Sequence, residues 1–314
     1  MPSTRDSHIS AAAIALLNAC REREDRVPAG LPRGGPGWAA TLACLLEAAA
    51  PKPGNVHPAA AFPDLSHDDF VAAAIAIGPI LQRAAQQPLG SVILEAVRES
   101  RRVTRSNANL GMILAIAPLA AVPAEAWTTA AEGACLTSVF TATAAVLARL
   151  DAADAAAVWL AIGEAGAGGL GAAAQHDLAG PPPDDILAGM RLAAGHDSIA
   201  ALWANGYGDG LGQLVADLAT ALATLKDWRS AIVDAFLKQL ARTPDSLIRR
   251  RHGAAVAAAV SARAAAVVSS DPADRPGAEA AFDRSLRGPQ RINPGTTADL
   301  IAAAVYILLR RSAP

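Results

Sequence analysis

Apolar positions along this chain fall in helical runs, and short clusters of proline, glycine and acidic residues separate them. Ser66-His67-Asp68-Asp69 reads as an N-cap with an acid three places on, and an apolar periodic run follows to about Arg83. The same reading predicts helices over Thr41–Ala50, 89–104, 109–121, 124–149, 152–165, Asp184–Ala204, 208–224, 228–241, 244–268, 278–287 and 296–311. Residues 1–27 read as another helix with a charged end, and Pro28–Gly37 as a breaker-rich linker. The expected organisation is an N-terminal helix and linker over 1–37, then one compact all-α domain of roughly a dozen helices over 38–314.

Composition strengthens that reading. Alanine makes up about a quarter of the 314 residues, with 4% aromatics and 52% apolar residues overall. Alanine is the best helix former and a poor strand former, so sheet sandwiches and doubly wound sheets are excluded. Two uncharged stretches, Ser106–Ala124 and Gly133–Ala148, approach the length of a membrane span. The first holds Asn107, Asn109, Gly111, Pro118 and Pro123, and neither has flanking Lys/Arg bias, so both are expected as helices buried in a soluble bundle.

A net charge of −2 offers no basic footprint for nucleic acid. Cys20, Cys44 and Cys135 are widely spaced and lack a CxxC, which suits a reducing cytoplasm and implies neither disulfide nor zinc framework. No signal peptide is expected from MPSTRDSHIS. The oligomeric state is open, a homo-oligomer included.

Candidate chemistry lies where polar residues interrupt the alanine background. Lysine occurs only at 52, 226 and 238 among 27 basic residues, and Lys52 stands in the stiff loop Pro51-Lys52-Pro53-Gly54-Asn55-Val56-His57-Pro58. It offers an ammonium to a phosphate, or is a solvated turn lysine. Asp64 offers a carboxylate to Mg²⁺ or closes an Asx turn. Asp69 is explained by the capping box and Asp68 by the helix dipole. Asn107 and Asn109, before the apolar helix that contains Gly111, orient a ribose or base or act as caps. The cluster Gly166–Gly171 brings backbone N–H groups toward phosphate but matches no P-loop. Asp197 lies in an apolar stretch where an unpaired charge is costly. Arg249-Arg250-Arg251 supplies cations pointing in different directions on a helix capped by Thr243-Pro244, one or two of them toward an anionic pocket. Capping explains most of Asn293–Asp299.

Taken in order, the segments PKPGNVHP…FPD, SNANLGMILAIAPLA, AGAGGLG…HDL, GMRLAAGHDSIAALWANGY, TPDSLIRR and NPGTTADL resemble the triphosphoribosyl-dephospho-CoA synthase family from about residue 38 to 311. The resemblance implies an all-α enzyme that transfers the triphosphoribosyl part of ATP to dephospho-CoA and releases adenine. It places Lys52, Gly54 and Asp64 in the first motif, Asn107 and Gly111 in the second, Gly168, Gly169, Gly171 and Asp177 in the third, and Asp197 in the fourth. Asp64 and Asp197 are the expected catalytic acids. Asp64, Asp177 and Asp197 are the expected Mg²⁺ ligands, and Asn109, Arg249 and Arg250 join the substrate-binding set. One departure stands out. Family members tied to lyases carry Asn-x-His-Lys-Gly, where this chain has Asn107-Ala108-Asn109-Leu110-Gly111 and so loses a histidine and a lysine. The acceptor is then dephospho-CoA or, in a second reading, a precursor of a methanopterin- or methanofuran-type one-carbon cofactor. A third reading is a nucleotide-binding helical scaffold without catalysis.

Overall fold

The computed structural model describes residues 16, 18, 20, 23–104, 108–128, 136–166, 182–225 and 227–311. Its centre is formed by three helices that are apolar on all sides: α1 (Pro36–Ala49), α4 (Leu110–Ala120) and α15 (Gly295–Arg311). Helices apolar all round belong inside a protein, and these three pack on one another. In α15 every residue from Thr296 to Leu309 is buried except Asp299. The first uncharged stretch thus contains the interior helix α4, and among the described residues no helix is long and apolar enough to cross a membrane.

The remaining helices sheathe this centre: α2 (His67–Leu81), α3 (Leu89–Val103), α5 (Ala124–Thr128), α6 (Leu136–Leu147), α7 (Ala152–Glu164), α8 (Ile186–Ala193), α9 (Ser198–Ala204), α10 (Gly208–Thr224), α11 (Trp228–Arg242), α12 (Ser246–His252), α13 (Ala254–Val268) and α14 (Arg275–Leu286). No strand occurs among the described residues, only the isolated bridges His57–Ala60 and Phe62–Leu65. α3 shows how a sheathing helix is made. Leu89, Val92, Ile93, Ala96 and Val97 recur at helical spacing on the inner face, and Arg98, Arg101 and Arg102 lie outside.

Small residues set the approach of the helices. Gly37 of α1 faces Gly78 of α2, and a Cβ on Gly37 would lie 2.3 Å from the Gly78 carbonyl oxygen. Interior proline is accommodated by side chains from elsewhere. Pro118 has no N–H to give the Leu114 carbonyl, which instead accepts Trp203 Nε1 at 2.9 Å and the Tyr207 hydroxyl at 3.2 Å. This ties α9 to the centre.

Helix starts follow the expected capping. Ser66 and Asp69 form the reciprocal capping box. Two predicted long helices are in fact broken. Of the run 124–149 the described residues give α5 and α6, and 129–135 lie outside them. The run 184–204 breaks at Gly195-His196, and the run 244–268 at Gly253, whose φ of 91° favours glycine. The cap of α12 is Asp245 rather than Thr243-Pro244. An isolated glycine is tolerated inside a helical run, so neither Gly195 nor Gly253 marks a break by itself.

Candidate active site

The breaks matter because they deliver polar groups to one place. The starts of α4 and α15, the α8–α9 break and the last turn of α12 surround a cavity of about 840 Å³. Helix starts present unpaired N–H groups and positive dipole ends. Its apolar lining includes Val56, Leu65, Phe70, Trp159, Ile186 and Met190.

Asp299 stands in the first turn of α15 and lines this cavity, yet it has no hydrogen bond or ion pair among the described residues. Burial holds its pKa well above the usual carboxylate range, the neighbouring Glu47, Asp245 and Asp197 carboxyls push it further, and Arg250 opposes them. Gly111 of α4 makes room for it. A Cβ there would lie 1.9 Å from Asp299 Oδ2. Sequence reasoning explained Asp299 as a first-turn acid. The overlooked signal is its position at the head of the uncharged run Leu300–Leu309.

Asp197 also lines the cavity, but not from within a helix: it is the N-cap of α9. Its Oδ1 accepts the Ile199 and Ala200 N–H groups at 2.9 and 3.0 Å, and its Oδ2 lies 3.3 Å from Arg250. All three arginines of α12 line the cavity, because the short helix wraps its last turn around the opening. Arg249 donates to the Gly195 carbonyl at 3.0 Å, whereas Arg251 has no partner among the described residues. His196, Asp197 and Arg249 also line a second cavity of about 290 Å³.

Several expected site residues stand elsewhere. Lys52 is fully buried: its ammonium lies 2.8 Å from Glu47 Oε1 and also donates to the Glu47 and Ala50 carbonyls. All three of its donors are used, so it offers none to a phosphate. Burial raises the pKa of its partner Glu47, and Lys52 opposes that shift. Gly54 adopts φ of 78° and gives its N–H to Asp283 Oδ1 at 2.8 Å, serving the turn rather than the cavity. Asp64 is exposed in the turn 62–65, of which only Leu65 reaches the cavity. Asn109 is buried behind the wall and accepts the Ser100 hydroxyl at 2.7 Å. Asn107, Gly168, Gly169, Gly171 and Asp177 lie outside the described residues.

With this geometry in place, the comparisons with known proteins decide the family. The sequence pattern of ATP:dephospho-CoA triphosphoribosyl transferase matches residues 35–313. The chain belongs to that family. It is a triphosphoribosyl transferase by membership, and Asp197, Asp299 and the three arginines of α12 line the cavity described above. No curated protein matches it. A crystal structure described as a triphosphoribosyl-dephospho-CoA synthase from Archaeoglobus fulgidus has the same fold, with a TM-score of 0.59 and 22% identity over 78% of this chain and 100% of that one.

Proposed function

We propose that this transferase moves the triphosphoribosyl group of ATP to a hydroxyl of dephospho-CoA in the cavity at the head of α15, with Asp299 as its proton-handling acid. The observation that carries the reading is Asp299 itself, a cavity-lining carboxyl with no partner among the described residues. In the transfer, the bond between C1′ and adenine N9 breaks and a bond from the acceptor oxygen to C1′ forms. The acceptor loses its hydroxyl proton and adenine gains one. A carboxyl whose pKa is pushed well above the usual carboxylate range suits proton donation to a ring nitrogen of the departing adenine. The electron-poor sugar of such a transition state also favours a nearby negative charge, which Asp197 provides.

The triphosphate stays attached to the transferred sugar, and Arg249, Arg250 and Arg251 suit it as bidentate donors. Mg²⁺ is expected with ATP. Among the described residues no group of three acids, histidines or cysteines could cage a metal. The donor set therefore fits an ion carried by the phosphates with Asp197 as its neighbouring carboxylate, since Mg²⁺ takes one or two carboxylates beside phosphates and water. There it would neutralise phosphate charge.

The test is incubation of the full chain with ATP, Mg²⁺ and dephospho-CoA, with free adenine measured by chromatography. Adenine release in equal amount to a triphosphoribosylated acceptor is the expected result. Product formation only with one-carbon cofactor precursors moves the assignment to that acceptor class. ATP binding with no adenine release on any acceptor overturns the catalytic reading in favour of a scaffold.

A further inference from the structure

We propose that Asn55 and Asn293 form an amide pair that reads the edge of the adenine ring; this rests on ATP being the donor substrate. Both residues line the cavity, 238 positions apart in the chain, and Asn55 Nδ2 donates to Asn293 Oδ1 at 2.6 Å. That bond consumes one donor of Asn55 and the acceptor of Asn293. The Asn55 Oδ1 atom is left buried without a partner, and the Asn293 amide nitrogen has no partner among the described residues. A buried polar atom without a partner is costly in a native structure and calls for a ligand or a water.

The chemistry of what remains is specific. Two amides joined by one hydrogen bond present a free carbonyl beside a free NH₂, and this holds whichever of the two is the donor. An acceptor next to a donor complements adenine, whose exocyclic amine donates beside a ring nitrogen that accepts. Val56, Leu65 and Phe70 line the same cavity and supply apolar surface for a ring face.

The pair is held in place from behind. Arg287 donates to the Asn55 carbonyl at 2.6 Å and forks onto Asp283 at 2.8 Å, while Asp283 takes the Gly54 N–H. In the connection between α14 and α15, the Ile292 N–H donates to the Leu286 backbone carbonyl at 2.9 Å, and the Gly295 N–H to the Asn293 backbone carbonyl at 2.8 Å. Both amides therefore leave backbones fixed on α14 and α15. This pre-organisation gives the proline loop a role that does not depend on its lysine.

Calorimetric titration of the full chain, with no acceptor present, tests the pairing. The probes are ATP, purine riboside 5′-triphosphate, which lacks the exocyclic amine, and inorganic tripolyphosphate. The unmodified chain should favour ATP over the purine analogue by about tenfold to a hundredfold. In Asn55→Leu that preference should collapse through lost ATP affinity, with tripolyphosphate binding unchanged. Asn293→Asp keeps an oxygen for the Asn55 amide but removes the free donor, so it should weaken both nucleotides and leave tripolyphosphate unchanged. An unmodified chain that does not discriminate the analogue overturns the inference. So does an Asn55→Leu chain that weakens ATP and the analogue in equal proportion, which is what a merely structural role predicts. Failure of ATP to bind the unmodified chain removes the donor assignment as well, so the two failures are distinguishable.

Discussion

Two carboxyl groups, Asp245 buried and Asp299 half-buried, meet the first turn of α15 and have opposite surroundings. Asp245, at the junction of α12 and α15, accepts the Ile248 N–H at 3.0 Å, the Thr297 N–H at 2.7 Å and the Thr297 hydroxyl at 2.8 Å. Asp299, two residues beyond Thr297, lines the cavity and accepts nothing among the described residues. Burial raises the pKa of both. The difference lies in their partners, and it separates an acid that builds the fold from one left for a ligand. The cations divide the same way. Lys52 is sealed against Glu47 and two carbonyls, whereas Arg251 lines the cavity mouth with no partner among the described residues.

The largest test of this division exchanges the two acids. Asp299→Asn keeps the shape, and steady-state adenine release should fall by about 10²–10⁴ in kcat, the usual worth of a positioned proton donor. Its stability should not fall. An acid whose folded pKa is raised contributes stability that is present below its unfolded pKa and lost as pH rises through the folded value. The asparagine chain should therefore gain on the parent as pH rises through that window in denaturant titrations. Asp245→Ala should do the reverse for the fold, losing roughly 2–4 kcal/mol through the missing cap and the orphaned Thr297 donors. Equal activity in Asp299→Asn and the parent would end the assignment of that acid.

The cations sharpen the comparison at a similar scale but in the other observable. Lys52→Met leaves the Glu47 carboxyl buried without its counter-ion, and breaking a buried pair costs about 3–5 kcal/mol. Glu47→Gln with Lys52→Met removes both charges and should recover most of that loss in the same unfolding measurement. If Lys52→Met instead unfolds like the parent and raises KM for ATP, Lys52 is a phosphate ligand after all and the division fails.

How much of this was legible beforehand differs between fold and site. The helices showed through because their signals are local: the Ser66–Asp69 capping box, the charge-free cores of α4 and α15, and the turn prolines all act within a few residues. The breaks at Gly195-His196 and Gly253 did not show, because an isolated glycine is tolerated within a helix and packing decides where the chain turns. Site residues were harder for a related reason. Scarcity pointed to Lys52, but whether an ammonium faces a cavity or a carboxylate five residues back depends on a fold the spacing does not reveal. Asp299 looked like any first-turn acid, since the cavity it faces is closed by α4, 188 positions upstream at Gly111. Asn55 and Asn293 carry meaning only as a pair, and nothing local joins them.

The smallest effect concerns the cation that the fold leaves over. Arg251→Ala removes no hydrogen bond or ion pair that the described residues provide, so the unfolding free energy should stay within about 0.5 kcal/mol of the parent. Its cost should appear in substrate binding alone, as a roughly tenfold rise in KM for ATP with kcat little changed, the pattern of uniform binding. Because Arg251 is exposed, added salt should screen the interaction and narrow the gap between parent and variant, most strongly once the Debye length falls below about 8 Å. Arg249→Ala offers the contrast, since it also frees the Gly195 carbonyl beside Asp197 and should disturb kcat together with KM. Identical salt-dependent ATP kinetics in Arg251→Ala and the parent would place that guanidinium in solvent and leave the triphosphate to Arg249 and Arg250.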